Sequence, residues 1–234
     1  MAQKKKKITK KEMKEDKLVT YFFETREFLE KYQKQLLIGA AALIVIVVAG
    51  ILIHNKSVEN EKTASVELSA IVSAYANFNY QTALNGDSLQ AKPGLINIAQ
   101  EYGSTTPGEI AKLLAGNSYY ALDKIDLANN YYSDYSGSLS LFDAASVAGQ
   151  SGCFEAKKNY EQAADFFRLA SKKDKYNPLN AEYLMRAAYN YILIGKYNIA
   201  EDLLNKVQQD YSREKAARDV ERYRGLIEAK RIEG

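Results

Sequence analysis

The sequence is poor in the residues from which most catalytic and metal sites are built. It has one histidine, one cysteine and no tryptophan among 234 residues. Cys153 has no intramolecular disulfide partner, and His54 stands at the end of an apolar run. These residues do not suffice for a metal site of the usual His/Cys type, and a Ser–His nucleophile would depend on His54 alone. The P-loop, GxGxxG and GxSxG motifs are also absent. We expect no catalytic residue, no cofactor and no metal ion.

The chain also lacks a strong net charge, and the charge that it carries is unevenly placed. The formal charge is +3. Residues 1–35 hold eleven Lys or Arg against six Asp or Glu, whereas residues 55–234 hold 21 basic and 23 acidic side chains. The larger part therefore gives no sign of nucleic-acid binding. Residues 1–15 are Lys-rich and are predicted to be a disordered tail. The tail is either a topology signal or an arm that meets anionic lipid headgroups.

One long stretch has no charge and no proline. It is LLIGAAALIVIVVAGILI, residues 36–53. As a helix it spans about 27 Å, close to the thickness of a bilayer's hydrocarbon core of about 30 Å. A cleaved export signal has a shorter apolar run nearer the N-terminus, and a soluble surface helix would show a single apolar stripe. The alternative, a buried core helix, has to account for the lack of any polar face. The stretch predicts an uncleaved transmembrane helix over 36–54.

The flanking charges predict the orientation of this span. Because cationic flanks resist translocation, the N-terminus is expected to stay in the cytoplasm and the C-terminal domain to lie in the periplasm or its equivalent. The predicted location is the bacterial inner (cytoplasmic) membrane, crossed once. Residues 16–35 place apolar side chains on one stripe and predict an amphipathic juxtamembrane helix. A helix continuous with the span fits the same pattern.

The rest of the chain reads as helical throughout. Apolar residues recur at the helical period from Val66 to Phe78, and a second short helix is predicted to open at Pro93. Thr106, Pro107 and Glu109 have the spacing of an N-cap, a first helical residue and a capping box. Asn177-Pro178 predicts another helix start. We assign 57–105 to an irregular N-terminal helical cap.

Three segments then repeat the same helix–turn–helix pattern. In each, an aromatic or aliphatic residue precedes an alanine by three positions, and a bulky apolar residue follows that alanine by four. The three sets are Ile125, Ala128 and Tyr132; Tyr160, Ala163 and Phe167; and Tyr197, Ala200 and Leu204. On each first helix a small residue precedes an aromatic one by three positions: Gly116 and Tyr119, Ser151 and Phe154, Ala188 and Tyr191. The small residue allows two helices to approach closely.

This pattern resembles the tetratricopeptide repeat, whose period is about 34 residues. The resemblance implies an all-α fold: a single transmembrane helix followed by a tetratricopeptide-like α-solenoid of antiparallel helix pairs. Three degenerate repeats occupy 106–212, and a C-terminal capping helix occupies 213–234, since the end of such an array needs a cover. The order of parts over residues 16–230 resembles the bacterial membrane-anchored tetratricopeptide proteins typified by the ancillary SecYEG translocon subunit. The Lys-rich start departs from that family.

The resemblance implies a protein-binding groove lined by the first helix of each pair. Its expected members give it an apolar and aromatic character: Leu113, Asn117, Tyr120, Glu155, Met185, Tyr189 and Ile192. The alternative is that these side chains pack between the repeats.

The expected function is that of a non-enzymatic, membrane-anchored protein-interaction scaffold. By resemblance, it is an accessory of the protein-export translocon, and its partners are translocon subunits, exoplasmic chaperones or client proteins. A scaffold for envelope-assembly or cell-division complexes has the same fold and another partner. Two further alternatives are an enzyme and a receptor that uses the Lys-rich arm to hold a cytoplasmic factor.

Overall fold

A computed structural model describes the backbone of residues 10–233 and the side chains of residues 20–232. The described part is all-α apart from one two-residue strand pair. The α-helices are α1 (Lys10–Ala76), α2 (Tyr80–Asn85), α3 (Leu95–Glu101), α4 (Thr106–Ala121), α5 (Ile125–Ser133), α6 (Ser140–Ala156), α7 (Tyr160–Lys173), α8 (Asn180–Leu193), α9 (Tyr197–Asp210) and α10 (Val220–Glu233). The strands are β1 (Gly86–Asp87) and β2 (Lys92–Pro93), and a 3-10 helix covers Lys215–Asp219.

The chain divides into two compact units, Met1–Lys56 and Ser57–Gly234. In the first unit the described residues belong to α1. The stretch Thr20–Ala76 contains an 18-residue window of mean hydropathy 3.2, none of which is buried. By length and composition this helix can cross a membrane once. The predicted disordered tail lies outside the described residues at 1–9, but residues 10–15 are helical, and 16–35 is continuous with the span rather than a separate helix.

The second unit contains the predicted helix pairs. They are α4 with α5, α6 with α7, and α8 with α9. The second helix of each pair begins at the residue that the sequence pattern marks, namely Ile125, Tyr160 and Tyr197. The alanines three positions later are fully buried, and the bulky residues four positions beyond them are at most 3% exposed. The repeated sequence pattern is therefore a packing pattern.

The turns between paired helices share one geometry. Asp123, Lys158 and Gly195 have φ of 58°, 60° and 73°. In each turn, the N–H of the next residue donates to the carbonyl five positions back, at 2.9 Å. This is the Schellman arrangement, in which a left-handed residue ends one helix. Glycine takes that conformation without steric cost, whereas Asp123 and Lys158 hold it under strain.

A fourth turn of this kind, absent from our sequence prediction, lies between α1 and α2. Phe78 has φ of 60°, and Asn79 N–H donates to Ala74 O at 2.9 Å. Tyr80 then begins α2, and Ala83, three positions later, is fully buried. The end of α1 and α2 therefore form a helix pair with the same turn, and the second helix stops after six residues.

Three predicted helix starts differ from the structure. The N-cap of α4 is Thr105, whose Oγ1 accepts from Gly108 N–H at 3.1 Å, one residue before the predicted Thr106. Pro93 belongs to β2 and pairs with Gly86 instead of opening a helix. Helix α8 begins three residues after Asn177, whose Oδ1 accepts from the N–H of Leu179 at 2.9 Å in a local turn.

Glu109 does not close a capping box. Its carboxylate accepts from Ser136 N–H at 2.8 Å and Ser136 Oγ–H at 2.9 Å, and from Lys112 Nζ at 2.9 Å. Burial alone would raise the pKa of Glu109, but these hydrogen bonds and the ammonium charge outweigh it and lower the pKa. The carboxylate ties α4 to the loop that follows α5.

The C-terminal segment packs against the third helix pair. The 3-10 helix contacts α8 and α9, and so does α10. Val220 and Ile227 are buried in the same apolar cluster as Leu204 and Val207 of α9. Helix α10 therefore covers apolar surface of the third pair and keeps it from water.

Candidate protein-binding surface

The residues expected to line a groove separate into two groups. Asn117, Glu155 and Tyr189 are partly exposed, and Tyr120 is 38% exposed. The other three are buried, with exposed fractions of 6% or less: Leu113, Met185 and Ile192. The buried side chains present no surface to a partner.

The packing explains why these three are core residues. Leu113 lies in a cluster with Ala128, Tyr132 and Cys153, between α4 and its neighbours. Met185 and Ile192 share a cluster with Val220 and Ile227, which α10 contributes and which the sequence pattern of α8 does not reveal.

Asn117 is held by tyrosines from two other helices. Its Oδ1 accepts from Tyr132 O–H at 2.7 Å, and its Nδ2 donates to Tyr75 Oη at 3.1 Å. Burial raises the pKa of Tyr132, so its phenol stays protonated and remains a donor. The carboxamide therefore has a fixed orientation, with donor and acceptor both engaged.

The next part of the surface centres on an ion pair. Arg186 Nη2 donates to Glu155 Oε2 at 2.5 Å, joining α8 to α6. The guanidinium also lies 4.6 Å from the centroid of the Phe167 ring, within the range of a cation–π contact. Tyr120 lies against α6, since a Cβ on Gly152 would stand in ordinary contact with its ring, at 3.5 Å. The charges of Glu155 and Arg186 cancel, so this part of the surface is aromatic and nearly neutral.

Tyr189 forms one wall of an open pocket at the C-terminal end. Its ring meets that of Tyr223 edge to face, with centroids 5.9 Å apart, and the Arg222 guanidinium lies 5.1 Å from the Tyr223 centroid. With Leu226 these residues line a pocket of about 310 Å³. Aromatic and arginine side chains are the types enriched at the energetic centres of protein interfaces.

Sequence reasoning missed Arg186 and Arg222. In α8 the outward-facing residues are Glu182, Arg186, Tyr189 and Leu193. The spacing of four, three and four residues marks a single helix face. The charged residues at 182 and 186 indicate that this helix face meets solvent, whereas the face that carries Met185 is buried. For Arg222, which comes from α10, no local signal exists.

The described residues contain no group of three or more His, Cys, Asp or Glu side chains placed to hold a metal ion. Cys153 is buried, and burial raises the pKa of its thiol to about 11, so little thiolate exists at neutral pH.

A scan against protein-family models, a search of curated proteins and a search of solved structures each return no match for this chain.

Proposed function

We propose that the second unit is a tetratricopeptide-like α-solenoid of antiparallel helix pairs. The four turns of one geometry and the fully buried alanines at equivalent positions support this reading. In such an array each pair repeats the contacts of the preceding one, and a terminal helix covers the last pair. Helix α10 has that place in the chain.

In the same proposal, α1 anchors the protein in the bacterial inner membrane as a single-pass span. The support is an apolar window with none of its surface buried. The excess of Lys and Arg before the span and its absence afterwards favour a cytoplasmic N-terminus, which puts the second unit on the outer side.

The function is then that of a non-enzymatic, membrane-anchored protein-interaction scaffold. The observation that carries it is the open aromatic pocket at Tyr189 and Tyr223, together with the nearly neutral surface around Tyr120. Such a surface suits apolar or aromatic segments of partner proteins. From the resemblance in its order of parts, we propose that the partners are protein-export translocon subunits, exoplasmic chaperones or client proteins.

Photo-crosslinking in native membranes tests this assignment. A photoreactive amino acid replaces the partly exposed Tyr189 in one sample and Tyr176 in a control, since Tyr176 is 86% exposed and lies on the α7–α8 loop, outside the pocket. We expect translocon subunits or exoplasmic chaperones to be joined at position 189 and not at 176.

The pattern of products separates the alternatives. Crosslinks at position 189 to division or envelope-assembly proteins alone would keep the surface and replace the partner. Equal crosslinking at 189 and 176, or none at 189, would remove the assignment of this surface. Tyr189→Ala, compared with Tyr176→Ala, should reduce co-purification of the same partner while the helical circular dichroism stays unchanged.

A further inference from the structure

Helix α1 carries exposed aromatic side chains ahead of the apolar run. In the described part these are Tyr21, Phe22, Phe23, Phe28 and Tyr32. Every side chain from 21 to 56 is exposed, so no other part of the described chain covers them. Sharp kinks occur at Pro, at Gly or at inserted groups, and α1 has neither Pro nor Gly before Gly39. The aromatic segment therefore continues from the apolar run without a break, and lipid around that run does not reach these rings.

A heptad pattern places one apolar seam along this helix, over residues 22–53. In a heptad written abcdefg, positions a and d face a partner helix. With Phe22 at a, the a and d positions fall on Phe22, Thr25, Leu29, Tyr32, Leu36, Gly39, Leu43, Ile46, Gly50 and Ile53. The hydroxyl of Thr25 donates to Tyr21 O at 2.6 Å, so this polar group stays satisfied when the seam is covered. The pattern lasts more than four heptads, which is typical of a coiled coil.

The charged residues of the aromatic segment lie away from the seam. Five of the six between 21 and 35 occupy positions b, c or f, namely Glu24, Glu27, Glu30, Lys31 and Lys34. The sixth, Arg26, is at the flanking position e, and its Nε lies 2.8 Å from Glu30 Oε1 of the same helix. Two parallel copies of α1 would therefore meet without placing like charges face to face.

Within the apolar run, the small residues stand on the seam side. Five of the six Gly and Ala between 36 and 53 occupy a, d, e or g: Gly39, Ala40, Ala42, Ala49 and Gly50. A glycine inside a helix costs about 0.5–1 kcal/mol relative to alanine, and a Cβ on Gly39 or Gly50 would meet nothing within 4 Å. No contact within the described chain requires these glycines, whereas close approach of a second membrane helix would.

We propose that α1 pairs with α1 of a second copy of this chain, in a parallel coiled coil over residues 22–53. The parallel arrangement rests on the proposed single-pass topology, because two copies inserted alike point the same way. The aromatic residues on and beside the seam, Tyr21, Phe22, Phe28 and Tyr32, are 37% to 65% exposed. At about 200 Å² for each aromatic side chain, covering them in both copies removes up to about 900 Å² from water. With the seam inside the apolar run, this reaches the size of a stable interface, about 1,200–2,000 Å².

Disulfide crosslinking of the full chain in isolated membranes tests the seam. Leu29→Cys places a thiol at position a, and Glu27→Cys, two residues earlier, is the control at position f. Facing a positions bring two Cβ atoms close to the separation of about 3.5–4.5 Å that a disulfide needs. Two f positions lie on the far sides of helices that are each about 10–12 Å across. Because the native Cys153 is buried, we expect a mild oxidant to link the Leu29→Cys chains into dimers and to leave the Glu27→Cys chains unlinked.

The strength of the pairing is measured by sedimentation equilibrium of the full chain in an uncharged detergent. Phe22 and Phe23 form a matched pair, because they are adjacent and 65% and 60% exposed, but only Phe22 lies on the seam. Phe22→Glu should raise the dimer dissociation constant by about tenfold or more, since it places two carboxylates against each other in the interface. Phe23→Glu should leave the dissociation constant nearly unchanged.

Three outcomes overturn the proposal. They are monomers at every concentration with no crosslinking at position 29, equal crosslinking at positions 29 and 27, and equal weakening by Phe22→Glu and Phe23→Glu. The first of these is also the result expected if the aromatic segment bends onto the bilayer surface. All three measurements concern α1 alone, so they are distinct from crosslinking at Tyr189, and failure of either proposal leaves the result of the other intact.

Discussion

Replacing Gly116 by alanine tests how closely the helices of the first pair approach. A Cβ at this position would lie 2.7 Å from Cδ1 and Cε1 of Tyr132. That ring is 3% exposed, and its hydroxyl is held by Asn117. Since the ring cannot move aside freely, we expect an overpacking cost of about 1–3 kcal/mol.

Alanine also has a higher helix propensity than glycine, by about 1 kcal/mol, and this gain must be separated from the steric cost. Gly225 in α10 provides the matched control, because a Cβ there would meet nothing within 4 Å. Gly225→Ala should therefore raise the melting temperature, by about 2–4 °C per kcal/mol in a domain of this size. The melting temperature of Gly116→Ala should be lower than that of Gly225→Ala, by the amount that corresponds to the overpacking cost.

The assay is thermal unfolding of the full chain in detergent, followed by circular dichroism at 222 nm. A double-mutant cycle adds a test of cause. At the equivalent positions the third pair has Ala188 where the first has Gly116, and Leu204 where the first has Tyr132; both are fully buried. The pair that has alanine on its first helix thus has leucine, which is smaller than tyrosine, on its second. In a Tyr132→Leu background, Gly116→Ala should cost less than in the unchanged chain. If Gly116→Ala raises the melting temperature as much as Gly225→Ala, the close contact with Tyr132 is refuted.

Three other predictions concern the buried side chains of Lys112 and Cys153 and the proposed orientation of the membrane span. Lys112→Met should destabilise the domain by about 3 kcal/mol, measured by urea unfolding, because it leaves Glu109 buried beside no cation. The pKa of Glu109 is lowered in the folded state, so the stabilisation from its carboxylate is present above pH ~4.3 and is lost as pH falls through the folded-state pKa. The difference in unfolding free energy between Lys112→Met and the unchanged chain should therefore become smaller in acid. Cys153 should react with a thiol reagent at pH 8 only as fast as the domain opens, and rapid labelling without denaturant would contradict its burial. Leu89, 99% exposed, offers a topology probe: Leu89→Cys should be labelled by an impermeant maleimide from outside intact spheroplasts, and Thr25→Cys only after lysis, whereas the reverse pattern would invert the proposed orientation.

The starts of the second helices could be predicted from the sequence because one local constraint sets them. A half-buried bulky residue stands at the first position, and a fully buried alanine three positions later lets the paired helix approach. Both residues belong to one helical turn, so their spacing can be read directly. Ile125, Tyr160 and Tyr197 were found on this basis.

The fourth pair was missed because only half of the pattern exists there. Tyr80 and Ala83 have the right spacing, but α2 ends at Asn85, so the bulky residue four positions beyond the alanine is never reached. Gly86 has φ of 89°, and a Cβ on Gly94 would lie 2.2 Å from Leu84 O. These glycines allow the chain to turn back at once, and the hairpin replaces the rest of the helix.

The helix caps and the surface residues depended on partners far along the chain. Thr105 and Thr106 are equally good caps by residue type, so the local sequence does not choose between them. Glu109 could have closed a capping box, but Ser136, 27 residues later, supplies two donors. Such choices are made by tertiary contacts, which override local preference.

Helix α10 shows how one element can both cover a helix pair and build part of the surface. Helix α10 buries Val220 and Ile227 against the third pair, in the cluster that also encloses Met185 and Ile192. The neighbouring turns of α10 place Tyr223 and Leu226 beside Tyr189. We infer that the packing of Val220 and Ile227 sets the position of Tyr223 and Leu226, so the pocket at Tyr189 forms only when α10 is docked on the third pair.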